Sequence, residues 1–239
     1  MNDVQKRYER EINEIVGVCH AVAERLYVTS HGGNLSWRVA ETDVLITPTK
    51  LNKGEVGFDD IVIAGTDGSI RYAAEGRRPT GELPIHLGLF RKRPDIKTII
   101  HAHPPWMTAF ALSKPELLRK PWLPEAIIEV GPVALTDYAT PLTDELAEKF
   151  DPVVQRYNCF LMRNHGMVVL SVEGMKRCMQ FLEMMETTAK TVAIATMLGG
   201  ATPINAEDVR LLDETLQTRG LPMPGAPGQV KSLRELFAD

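Results

Sequence analysis

The chain has 239 residues, 44% of them hydrophobic and 24% charged, enough to bury one substantial core within a single domain spanning residues 1–239. Its 27 basic and 31 acidic side chains are interspersed and leave a net charge of −4, which gives no footprint for a nucleic acid or an anionic membrane and makes a small molecule the expected partner. The charged opening MNDVQKRYEREINE is unlike a secretory signal, and no apolar run approaches the roughly 20 residues that span a bilayer, so a cytoplasmic protein is expected.

From Val4 to about Val28, apolar residues at Ile12, Ile15, Val16, Cys19, Val22, Ala23 and Leu26 recur every three or four positions and predict an amphipathic helix. Gly32, Gly33 and Asn34 end that pattern, and LSWRV and DVLITP follow as two short strands. Between Asp59 and Arg71 a Thr-Asp-Gly-Ser turn separates apolar stretches, as in a hairpin. PTGELPIHLGLFRKRP reads as a loop entering a short helix, with Glu82 near its start. IKTIIHAH is β-branched and strand-like, and PPWMTAFALS is helical with proline in its first turn. VALTDYATPL reads as a loop leading to a helix capped near Thr143, and NCFLMRNHGMVVLS as two apolar runs joined in a hairpin by Arg163–Gly166. Gly174 to Leu198 is long and Met-rich, a helix for the core or a subunit interface. Residues from about Asn205 to Thr218 form a last helix before a Pro/Gly tail. Cys19, Cys159 and Cys178 fall in no metal or redox spacing and are expected as buried thiols.

The chemistry centres on His101-Ala-His103, because residues two apart in a strand share a face and can hold one ion together. His165, in Asn-His-Gly at the hairpin turn, could complete a three-histidine site with an open coordination position; the alternative is three separate polar residues at strand ends. Glu82 is either a charge at a helix N-terminus or a general acid/base beside a substrate. Gly32-Gly33-Asn34, Thr47-Pro48-Thr49 and Thr80-Gly81 are turns whose backbone N–H groups could hold an anion, or turns alone. His20 and His86, each inside a helix, are assigned to the scaffold.

Taken together and in order, HGGNLSWR, LITPTK, PTGELPIHLGLFRKRPDIKTIIHAHP, TDYATPLTDELA and RNHGMVVLS resemble the class II aldolase/adducin family over nearly the whole chain. The resemblance implies a three-layer α-β-α fold, a central and mainly antiparallel sheet flanked by helices, assembled as a homotetramer with active sites between subunits. It implies zinc on His101, His103 and His165, with manganese or cobalt as alternatives because three imidazoles accept several divalent ions. Glu82 matches the family's catalytic glutamate, which favours aldolase over epimerase chemistry, since the epimerases carry aspartate there. Tyr138 matches a tyrosine that reaches a neighbouring subunit's site and protonates the leaving aldehyde oxygen. The implied anion pocket is Gly33, Asn34, Thr49, Lys50, Thr80 and Gly81. Lys50 stands where the fuculose-phosphate aldolases have glycine, Thr80-Gly81 where they have a serine pair, and Arg219 where they have a second, C-terminal tyrosine. A lysine and an arginine near such a pocket suit a phosphate and a carboxylate equally. The implied activity is an aldolase cleaving a ketose phosphate or related hydroxy-keto compound through a metal-stabilised enediolate. The alternatives are a decarboxylase of a hydroxy or keto acid, a sugar-phosphate epimerase, and a non-catalytic adducin-like protein.

Overall fold

Eight strands make one sheet in a computed structural model that describes residues 3–237. They are β1 (Asn34–Arg38), β2 (Asp43–Ile46), β3 (Val62–Gly65), β4 (Ile70–Tyr72), β5 (Thr98–Ala102), β6 (Val133–Thr136), β7 (Cys159–Met162) and β8 (Gly166–Ser171), in the order β4-β3-β2-β1-β5-β8-β7-β6. All neighbours are antiparallel except β6 and β7. The helices are α1 (Asp3–Arg7), α2 (Glu9–Glu24), α3 (Leu83–Lys92), α4 (Pro105–Leu112), α5 (Pro124–Glu129), α6 (Asp144–Glu148), α7 (Met175–Met197), α8 (Ala206–Arg219) and α9 (Leu233–Leu236). Among the described residues, no helix is long and apolar enough to cross a membrane.

β5 and β8 are buried along their whole length and β1 up to Arg38, so the centre of the sheet is covered on both faces. Leu35, Ile100, Ala102, Met167 and Val169 pack on one side with Ile12, Ile15 and Cys19 of α2, Phe110 of α4 and Leu182 of α7. Ile99, Val168 and Leu170 pack on the other with Leu89 and Phe90 of α3 and Leu146 of α6. Helices on both faces of a sheet give the expected three-layer α/β architecture. All three cysteines are buried free thiols.

Three elements depart from the sequence reading. The opening helix is interrupted at Tyr8, whose ring is buried and whose hydroxyl donates to Asp43 Oδ2 at 2.6 Å. It stops short of Val28 because Leu26 turns left-handed (φ 57°) while Tyr27 N–H reaches back to Val22 O at 2.9 Å, a common helix stop. VALT, read as part of a loop, is strand β6, which finds its parallel partner β7 across 26 positions of sequence (Val133 opposite Cys159). Leu233–Leu236 adds a further helix within the Pro/Gly tail; Asp213 of α8 accepts from Leu233 N–H and Arg234 N–H at its start.

Candidate active site

The sheet's register gathers the candidate residues at one end. Asn34, first residue of β1, lies opposite His101 on β5, and Ala102 lies opposite Met167 on β8. β5 ends at Ala102, and His103 N–H bonds to Tyr27 O at 2.8 Å, fixing the second histidine just past the strand. His165 closes the loop between β7 and β8, where Asn164 takes φ 55° and His165 N–H bonds to Met162 O at 3.0 Å. Ring centroids are 4.7 Å apart for His101 and His103, 4.8 Å for His101 and His165, and 5.4 Å for His103 and His165. One ring nitrogen from each lies within 4.8 Å of the others.

Glycine makes this convergence possible. A Cβ on Gly166 would stand 2.5 Å from His103 Cδ2 and 2.6 Å from Ala102 O, so the glycine of Asn-His-Gly leaves room for the neighbouring imidazole. Gly33 has φ +67°, and a Cβ there would meet Val28 Cγ1 at 2.5 Å and His101 O at 2.9 Å.

His101 Nδ1 lies 2.9 Å from Met167 O; a carbonyl only accepts, so Nδ1 carries the hydrogen and Nε2 presents its lone pair. That Nε2 is buried and without a hydrogen-bond partner, as is His165 Nδ1. Burial, reinforced by the neighbouring imidazoles, pushes His101 and His103 down to about 3, and burial also lowers His165. Three neutral imidazoles, two of them with an orphaned buried nitrogen and one oriented by a backbone carbonyl, are a donor set that fits a divalent cation with an open coordination position.

Glu82 occupies the N-cap position of α3 but makes no side-chain cap bond. Its carboxylate is 6% exposed and turns into the cluster, Oε2 at 3.4 Å from His101 Nε2 and Oε1 at 3.7 Å from His165 Nε2. Oε2 also accepts from Asn34 Nδ2 at 2.7 Å. Of the two sequence readings of Glu82, the geometry is that of a group facing the imidazoles.

The turns at Thr47–Thr49 and Thr80 are bonded to each other, and Thr47 also to Leu35, the residue after Asn34. Thr47 pairs with Leu35 of β1 through N–H to O (3.0 Å) and through its Oγ1, which accepts from Leu35 N–H (3.1 Å). Thr80 N–H donates to Thr47 O at 3.1 Å and Thr49 N–H to Arg78 O at 3.0 Å, which runs Thr47–Thr49 alongside Arg78–Thr80. Lys50 is exposed and left-handed (φ 57°), a conformation that suits glycine.

Two residues of this region escaped the sequence reading. Lys53 is 1% exposed and donates from Nζ to His31 O and Leu51 O, both at 3.2 Å, tying the His-Gly-Gly turn to the segment after Lys50. Burial lowers its pKa. His86, assigned to the scaffold, bonds to Asn34 and Ser36. Tyr138 is 53% exposed, in the loop after β6, while Leu142 of that loop packs against Gly81. Arg219 ends α8 on the surface. Among the described residues, no hydrogen bond or ion pair joins Tyr138 or Arg219 to Glu82 or the histidines.

Comparison with known proteins identifies the family and the fold. Residues 13–193 match the family described as Class II Aldolase and Adducin N-terminal domain. The chain is similar to a 3-oxo-tetronate 4-phosphate decarboxylase of Pectobacterium atrosepticum, 30% identical over 190 residues, 78% of this chain and 85% of that protein. It is also similar to an L-fuculose phosphate aldolase of Methanococcus maripaludis, 33% identical over 160 residues, 67% of this chain and 84% of that one. A solved L-fuculose 1-phosphate aldolase superposes with a TM-score of 0.75 at 26% identity, over 87% of this chain and 96% of that structure.

Proposed function

The chain belongs to the class II aldolase and adducin family, and from that premise we propose that it is a metal-dependent aldehyde-lyase acting on a small phosphorylated ketose. The observation that carries this reading is the meeting of three lone-pair-bearing imidazoles with one buried carboxylate at the end of the sheet. His101, His103 and His165 would hold the cation, zinc or alternatively manganese or cobalt, and that ion supplies Lewis acidity toward the substrate's carbonyl and hydroxyl oxygens.

The remaining chemistry falls to the chain's own side chains. As the C–C bond breaks, its electron pair stays on the carbon beside the carbonyl, and the hydroxyl of the departing fragment loses its proton to become an aldehyde. Glu82, buried and turned toward the imidazoles, would move the proton on or off that carbon. Tyr138, exposed on the single chain, would serve a neighbouring subunit of a homotetramer and move the proton at the aldehyde oxygen. The backbone N–H groups of Gly33 and Gly81 and the hydroxyls of Thr49 and Thr80 would donate to the anionic group, with Lys50 as counter-charge and Asn34 at the inner edge. Both curated relatives' names carry a phosphate, which favours phosphate over a bare carboxylate at this pocket. A cytoplasmic location suits such a substrate.

Decarboxylation is the second reading, favoured by the larger share of the chain, 78% against 67%, that aligns with the decarboxylase relative. It needs the same sink for an electron pair, with CO₂ leaving in place of an aldehyde. The deciding experiment loads the protein with zinc and offers ketose 1-phosphates, the free sugars and phosphorylated 3-oxo acids, following aldehyde and CO₂ together. Aldehyde from a phosphorylated ketose is the expected result. CO₂ alone would move the assignment to decarboxylase, equal rates on free sugars would remove the phosphate role, and no turnover with metal bound would leave the non-catalytic reading.

A further inference from the structure

α3 buries a histidine whose hydrogen bonds lead to Glu82. His86 is 1% exposed and lies one turn after Glu82. Its Nδ1 is 2.5 Å from Ser36 Oγ and its Nε2 is 2.5 Å from Asn34 Oδ1, while Asn34 Nδ2 is 2.7 Å from Glu82 Oε2. Ser36 and Asn34 are two apart on β1 and so share the face that α3 covers, and the imidazole spans the gap between them.

The direction of each bond follows from the charge at the end of the chain. A carboxylate only accepts, so Asn34 turns its NH₂ to Glu82 and its Oδ1 to His86. Oδ1 also only accepts, so His86 donates from Nε2. Its Nδ1 is then a lone pair, which takes the hydroxyl hydrogen of Ser36. The opposite amide orientation would set an oxygen 2.7 Å from the carboxylate with no hydrogen between them.

We propose that His86 is a positioning residue for the acid/base carboxylate: by fixing the Asn34 amide it keeps Glu82 Oε2 as a hydrogen-bond acceptor and reserves Oε1 as the oxygen that carries the proton. This rests on reading Glu82 as the acid/base. It also changes the part played by Asn34, which has one amide N–H engaged by Glu82 and only the other left for a substrate. His86 bonds to Ser36 and Asn34 and to none of the three candidate ligand histidines, so its effect on the reaction runs through the Asn34 amide to Glu82.

Two measurements on the full, zinc-loaded chain test it. With histidine labelled by ¹⁵N, long-range proton–nitrogen spectra read each ring's tautomer, and the His86 signals are assigned by their loss in His86→Gln. His86 is expected as the Nε2–H tautomer from pH 8 to 5; an Nδ1–H tautomer, or titration near the ordinary histidine value, overturns the relay. In turnover, His86→Met should lower kcat by about 10–100-fold with KM and zinc content unchanged, the range seen for residues that orient a site from behind. His86→Gln, whose amide nitrogen can donate to Asn34 as Nε2 does, should recover most of that loss. Unchanged kcat in His86→Met, an equal loss in both variants, or a loss that follows zinc content overturns the proposal. Should His86→Met not fold, the tautomer in the unsubstituted chain decides. If the unsubstituted protein turns over no substrate, it is the reading of Glu82 that fails, and the tautomer still tests the relay.

Discussion

A methyl group placed on Gly166 would press on His103 Cδ2 at 2.5 Å, far inside contact distance. Gly166→Ala should therefore displace that imidazole and weaken zinc binding by about 10–100-fold, as changes behind metal ligands do, and should also strain the β5–β8 pairing, where its methyl group meets Ala102 O at 2.6 Å. Zinc titration of the variant checks this, and wild-type affinity would show that His103 is not a ligand. His86 gives a pH prediction. Burial pushes it down to about 3, with the neighbouring Glu82 opposing the shift, whereas an unfolded histidine titrates near its ordinary 6.5. Below that value the unfolded chain binds a proton that the native chain refuses, so stability falls with pH, by up to about 1.4 kcal/mol per pH unit, until the native value is reached. Urea midpoints from pH 7 to 4 should fall less steeply for His86→Gln than for the unsubstituted protein. At this scale, the nearness of His101 and His103 was legible from their spacing, although His103 lies just past the strand and is fixed by its bond to Tyr27 O. The turn of the Glu82 carboxylate toward the imidazoles was not legible from the residue alone, since a glutamate at a helix start reads first as a helix-end charge. Lys53 was invisible because its acceptors, His31 O and Leu51 O, meet only after the turns pack.

The elements were legible where their pattern is local and hidden where a distant partner makes them. β5 and the β7–β8 hairpin follow from apolar runs and an Asn-His-Gly turn, while four-residue β6 has no local signature and exists because β7 offers it a parallel edge. α4 shows a similar dependence. It begins directly after His103-Pro104, and its first N–H groups, Trp106 and Met107, donate at 2.9 and 2.8 Å to the carboxylate of Glu186 on α7. Two bonds to a buried charge anchor the segment that carries the second histidine. Glu186→Ala should cost about 2 kcal/mol by leaving both donors without their acceptor, measured by urea unfolding, and should weaken zinc binding alongside.

For the whole molecule, family membership and the three-layer fold were legible from five motifs in fixed order, because together they specify one sheet with its active residues at one end. A cation held by His101, His103 and His165 would act as a clasp between the end of β5 and the β7–β8 turn. Zinc at a hundredfold excess over its dissociation constant should stabilise the protein by about 2.7 kcal/mol, and a chelator should reverse the gain. His103→Ala should unfold at the same temperature with and without zinc; a full zinc-dependent rise in that variant would take His103 out of the ligand set.

The register that sets Asn34 opposite His101 has a kinetic consequence. β1 and β5 are separated by some sixty residues, and a slip of one position between them would send Asn34 and Ser36 to the opposite face of the sheet. Closing that long loop is the slow kind of contact in folding. During refolding, high-affinity zinc uptake should thus lag behind the appearance of helix signal, making the ion a clock for the moment the two strands lock.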